Sequence, residues 1–137
     1  GSGRFATFYL LAALAAALAH GALQPDSFTP MVGASGPISA VLAAYLVWYP
    51  SRQVQAMLPP LLPAYLLTRL VWRVPQFHLW WFPAWLFLGY WAAVQLIEAT
   101  GSVTLGRLDG AGVAWWAHVG GFAFGLAYVA LTPRLRR

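Results

Sequence analysis

The chain has 137 residues, of which 61% are hydrophobic and only 8% charged, with eight tryptophans and no cysteine. A soluble domain carries about a quarter charged residues, so this composition excludes an ordinary water-soluble globule and points to a lipid bilayer. Without cysteine there is no disulfide framework and no thiolate metal site, and the net charge of +5 has to be read from where the arginines fall.

The first apolar stretch, Phe5–Leu23, runs outward from Arg4 and approaches the roughly 20 residues needed to cross a bilayer core. Its small residues Ala12, Ala13, Ala15, Ala16, Ala17 and Ala19 permit close packing against neighbours. It stops near Gly21 and does not read as a removable leader, because no convincing processing site follows and three more apolar stretches come after it. Gln24–Val32 contains Pro25 and Pro30 and reads as an external loop. Gly33-Ala34-Ser35-Gly36-Pro37 then opens a second, shorter span, Gly36–Tyr49, with Pro37 suited to the first helical turn. That span ends at Pro50-Ser51-Arg52.

Val54–Val74 is interrupted by Pro59, Pro60 and Pro63, which argues against a straight spanning helix. Arg69 and Arg73 share a face four residues apart, as expected of a segment lying at the headgroups, with Trp72, Trp80 and Trp81 in the cytoplasmic aromatic belt. A third span, Trp80–Ile97, runs outward through Trp85, Tyr90 and Trp91 to Glu98. A Gly-rich loop, Gly101–Gly110, follows, and the last span, Gly112–Leu131, returns through Trp115, Trp116 and His118 to Pro133-Arg134-Leu135-Arg136-Arg137.

The expected architecture is all-α: a polytopic membrane helix bundle of four transmembrane helices plus an interfacial, proline-interrupted segment, forming one domain over residues 1–137. With the first residue in the cytoplasm, Arg4, Arg52, Arg69, Arg73, Arg134, Arg136 and Arg137 fall on the cytoplasmic side and only Arg107 outside, while Asp26, Glu98 and Asp109 lie at or near the outer face. This positive-inside bias sets the orientation and puts the C-terminus in the cytoplasm. It makes the basic tail a topological anchor and leaves no role for nucleic acid.

Two polar residues stand out, because an unexplained polar side chain within a bilayer is costly and suggests function. Helical rise gives roughly 21 Å from Ser35 to Tyr49, short of the roughly 30 Å apolar core, which sinks Ser35 below the outer surface. His118, counted six residues into an inward-running helix, lies roughly 9 Å down. At a common depth, the hydroxyl gains a base able to take its proton. The helix N-terminus at Ser35, with the amides of Ala34 and Ser35 and the flanking Gly33 and Gly36, suits a developing oxyanion. Gly121 and Gly125 give the His118 helix a glycine face that can approach Ser39, Ala40 and Ala43. No carboxylate is placed to orient the histidine, so a dyad is indicated.

Blander readings stand beside these. A serine that begins a helix is usually a cap. Gly121 with Gly125 is also a plain small-residue packing motif. His20 reads as a packing residue near the outer end of its helix, able to line the same cavity, and His78 as interfacial. Glu98 can snorkel to water. A soluble-hydrolase nucleophile elbow is excluded, since Pro37 stands where the last glycine of G-x-S-x-G belongs.

The chain resembles the rhomboid intramembrane serine proteases of bacterial type. The resemblance is carried by Arg4-Phe5 with Phe8-Tyr9-Leu10-Leu11, by Val32-Gly33-Ala34-Ser35-Gly36-Pro37-Ile38-Ser39, by Pro83-Ala84-Trp85-Leu86-Phe87-Leu88-Gly89-Tyr90-Trp91, and by Val113-Ala114-Trp115-Trp116-Ala117-His118-Val119-Gly120-Gly121-Phe122. It implies Ser35 as nucleophile, His118 as general base, Gly33 in the tight turn, the Ser35 amide in the oxyanion site, and a helix around Trp85–Trp91 beside the substrate's path. The family's core has six transmembrane helices and this chain resembles the last four. The two preceding helices of the same protein, which in the family carry a His and an Asn assisting the oxyanion, are an expected further partner, and the piece alone is expected to be inactive.

The function expected is intramembrane serine endopeptidase, cleaving single-pass transmembrane protein substrates near the outer face, with no metal and no cofactor. Its setting would be a bacterial inner (plasma) membrane. The alternative is a catalytically inactive rhomboid-like protein that binds membrane clients, but such relatives usually lack the Ser or the His, and both are present. A small transporter or channel subunit ranks third, because polar residues thin out toward the cytoplasm.

Overall fold

The structure, a computed structural model, describes residues 1–25, 27, 31–57, 79–104 and 113–132. Expectations for Asp26, the prolines at 59, 60 and 63, Arg69, Trp72, Arg73, His78, Arg107, Asp109 and the arginine tail lie outside the described residues.

Among the described residues the secondary structure is four α-helices and one two-stranded sheet. Helix α1 covers Ser2–Leu23 and is long and apolar enough to cross a membrane by length and composition. Helices α2 (Ser35–Trp48) and α4 (Trp115–Leu131) are apolar but shorter, at 14 and 17 residues. Helix α3 spans Ala84–Thr104. Strands β1 (Gln53–Met57) and β2 (Leu79–Pro83) lie between α2 and α3.

Small residues at a four-residue spacing build the interior. The buried stripe of α1 is Phe8, Ala12, Ala16 and His20, and that of α4 is Ala117, Gly121, Gly125 and Val129. Rows of this spacing form the ridges by which helices interdigitate, and small side chains bring the backbones close. Helix α4 packs against all three other helices. A Cβ on Gly121 would run into the carbonyl of Gly36, and one on Gly125 into the carbonyl of Ala40. Helix α2 meets α1 through Gly36, where a Cβ would stand 2.7 Å from that of Ala16.

Large apolar side chains face outward. Leu10, Leu14 and Leu18 on α1 are 69%, 56% and 63% exposed, while Ala12, Ala40 and Ala43 are fully buried. A water-soluble core puts its bulky aliphatic residues inside. The reverse arrangement suits a bundle whose outer solvent is lipid, since there helix association comes from close contact and not from hiding leucines. Toward one end lies an aromatic cluster, with Phe8 tilted against Tyr128 at 4.7 Å beside Phe124.

Four expectations are corrected. Residues 54–57, assigned from sequence to a segment lying at the headgroups, are strand β1. It pairs antiparallel with β2, from Gln53 opposite Pro83 to Met57 opposite Leu79. The span expected from Trp80 accordingly starts as a strand and turns helical only at Ala84. The aromatic run Trp80-Trp81-Phe82 favours a pleated surface, and Pro83 pushes Phe82 to extended geometry.

The other two corrections concern the helices facing the outer loop. Helix α3 continues past Ile97 and takes Gly101 into the helix instead of a loop. Just before it, the Thr100 hydroxyl donates to the carbonyls of Leu96 and Ile97 at 2.9 and 3.0 Å. The last helix begins at Trp115, not Gly112, so His118 is its fourth residue.

Candidate active site

Gly33 has φ 121°, a backbone conformation that side chains with a Cβ rarely adopt. This turn delivers the chain into α2 with Ala34 as N-cap and Ser35 as first helical residue. The Ala34 carbonyl accepts the Ile38 N–H at 3.0 Å, the first bond of the helix, and the Tyr9 hydroxyl of α1 lies 3.5 Å from the same oxygen. No side chain caps this terminus, so its leading amides lack the intrahelical acceptors that later residues have.

The Ser35 hydroxyl leaves its own helix. Its Oγ lies 2.8 Å from Nε2 of His118, 83 residues along the chain. The structure therefore brings together the two residues singled out for depth. Ser35 is exposed, whereas the His118 ring is half-buried. Trp91 of α3 packs at 6.1 Å in a tilted arrangement, and Trp115 at 6.1 Å nearly edge-on.

The other ring nitrogen has a partner that sequence reasoning missed. His118 Nδ1 lies 2.6 Å from Oε1 of Gln95. Gln95 is 7% exposed and sits on the inner stripe of α3 with Ala84, Leu88 and Ala99. The available signal was an amide in an apolar span, where a polar group needs a reason.

The remaining site residues fall into two roles. Gly33, Ala34 and Gly36 lie with Ser35 and His118 in the wall of a cavity of roughly 540 Å³, completed by Tyr9, Val32 and Pro37 among others. Gly121 and Gly125 are not in that wall; they seat α4 on the α2 backbone just behind the dyad. Ser39 is fully buried, and its hydroxyl donates to the Ser35 carbonyl at 2.8 Å, bracing the first turn from inside. His20 is buried on the inner stripe of α1, outside that wall, with Nδ1 unpartnered among the described residues. No cluster of His, Asp or Glu there has the makings of a metal site.

Such an arrangement can do nucleophilic chemistry. A hydroxyl is within proton-transfer distance of an imidazole, and helix-terminal amides stand beside it for a developing negative charge. In comparisons with known proteins, the family model described as "Rhomboid domain" matches residues 1–135. No curated protein and no solved structure gives a match.

Proposed function

Since the chain belongs to the rhomboid family, which is membrane-embedded and includes serine proteases, we propose that it is an intramembrane serine endopeptidase working through Ser35 and His118. The observation carrying this reading is the 2.8 Å separation of Ser35 Oγ and His118 Nε2. In the attacking step the hydroxyl donates its proton to Nε2 as Oγ bonds to the scissile carbonyl carbon. The carbonyl oxygen becomes an oxyanion facing the amides at the start of α2. Collapse breaks the C–N bond, Nε2–H protonates the departing amine, and the acyl group stays on Oγ. Water, deprotonated by the same nitrogen, then releases the acid and regenerates the hydroxyl.

The substrates are single-pass transmembrane proteins, attacked where a strand-like stretch reaches the cavity near the outer face of the membrane. The membrane is a bacterial inner membrane and the C-terminus lies in the cytoplasm, an orientation supported by the arginine bias. A fluorophosphonate probe tests the assignment in the full-length protein. Labelling is expected in the native protein and lost in both Ser35→Ala and His118→Ala; equal labelling of Ser35→Ala rejects the nucleophile.

A further inference from the structure

A neutral imidazole carries one proton on one of two nitrogens, and a base toward Ser35 needs that proton on the far one. We propose that Gln95 is the positioning residue that imposes this state, doing for the dyad what a carboxylate does in a Ser-His-Asp triad. The inference rests on the Ser35–His118 reading above and extends it to a third side chain.

The geometry carries the argument. The amide carbonyl oxygen of Gln95 can only accept, and it lies 2.6 Å from His118 Nδ1. Nδ1 therefore holds the proton and donates it to Oε1. Nε2 is left with a bare lone pair, and the Ser35 hydroxyl 2.8 Å away donates to it. The chain of donors runs one way, from Ser35 through the ring's acceptor nitrogen and out from its N–H to Gln95. Were the tautomer reversed, Nε2–H would point at Oγ and could take no proton from it.

The surroundings hold the amide in place. Gln95 is only 7% exposed, and its amide is held between the inner face of α3 and the His118 ring. Trp91, one turn before Gln95 on the same helix, packs on the His118 ring at 6.1 Å. Helix α3 thus restrains the imidazole twice, in ring plane by the indole and in protonation by the amide.

Two variants of the full-length protein test this, each compared with the native protein and with Ser35→Ala. Gln95→Met removes the acceptor at similar size. It is expected to lower the fluorophosphonate labelling rate by about 10-fold, the size expected for one buried hydrogen bond. In substrate cleavage the loss should appear in kcat with KM unchanged. Gln95→Glu keeps an acceptor at the same place and is expected to retain labelling within a few-fold of native. ¹⁵N spectra of labelled histidine should report Nδ1–H in the native and Gln95→Glu proteins and a mixture of tautomers in Gln95→Met.

Native labelling and native tautomer in Gln95→Met would overturn the proposal, as would a folded Gln95→Glu protein that has lost labelling. If Gln95→Met does not fold, Gln95→Glu and its spectrum decide alone. Persistent labelling of Ser35→Ala would instead overturn the dyad itself, a separate outcome.

Discussion

A serine hydroxyl at the start of a helix ordinarily turns back to an amide of its own first turn. Ser35 does not, because Gly33 has already aimed the chain and the Ser35 side chain points across to α4. The strain-free turn is a property of glycine at this one position. Gly33→Ala should cost about 1–3 kcal/mol, measured as a drop in the midpoint of thermal unfolding, and should slow probe labelling because Oγ is displaced from Nε2. That Ser35 and His118 would stand together was legible from sequence, since a polar group inside an apolar stretch is conspicuous. Gln95 was not. Its meaning depends on which face of α3 packs inward, and that is set by the contact with α4, which buries Leu88, Gln95 and Ala99.

Among the elements, the α2–α4 contact is the most demanding. At Gly121 and Gly125 the obstacle to a side chain is backbone, the carbonyls of Gly36 and Ala40, which cannot rotate aside. Gly121→Val and Gly125→Val should each destabilise by at least the roughly 1–3 kcal/mol of an overpacked core, seen as loss of the folded fraction in a denaturant titration. Leu14→Ala and Leu18→Ala, on the outward face of α1, should stay within about 0.5 kcal/mol of native in the same titration, as surface changes do. Four-residue spacing of small side chains made the helical contacts readable. The β1–β2 ribbon was not, because its aromatic residues equally suit a membrane boundary and 21 residues separate its two strands, between Met57 and Leu79.

For the whole molecule, Arg4 and Phe5 of α1, Trp48 of α2 and Tyr128 of α4 line one cavity. Ser35 and His118 line another with Ala13 and Ala16, two to three turns further along α1. Helices α2 and α4 therefore both run antiparallel to α1. Because the chain has no cysteine, single introduced cysteines report sidedness directly. In intact cells, Val32→Cys should react with a membrane-impermeant maleimide and Ser51→Cys should not; the reverse pattern would invert the orientation drawn from the arginines.

The junction between β2 and α3 bears on how such a bundle can move. The first two amides of α3 donate to carbonyls just beyond the end of α2, Ala84 to Arg52 at 2.7 Å and Trp85 to Pro50 at 3.1 Å. Those two hydrogen bonds hold the foot of α3, so a tilt of the helix would turn about its base. Gln95 sits about 15 Å up the helix, where a tilt of about 10° sweeps it through roughly 2–3 Å, enough to part it from the imidazole. The same helix that borders the dyad would in that way connect or disconnect it by leaning.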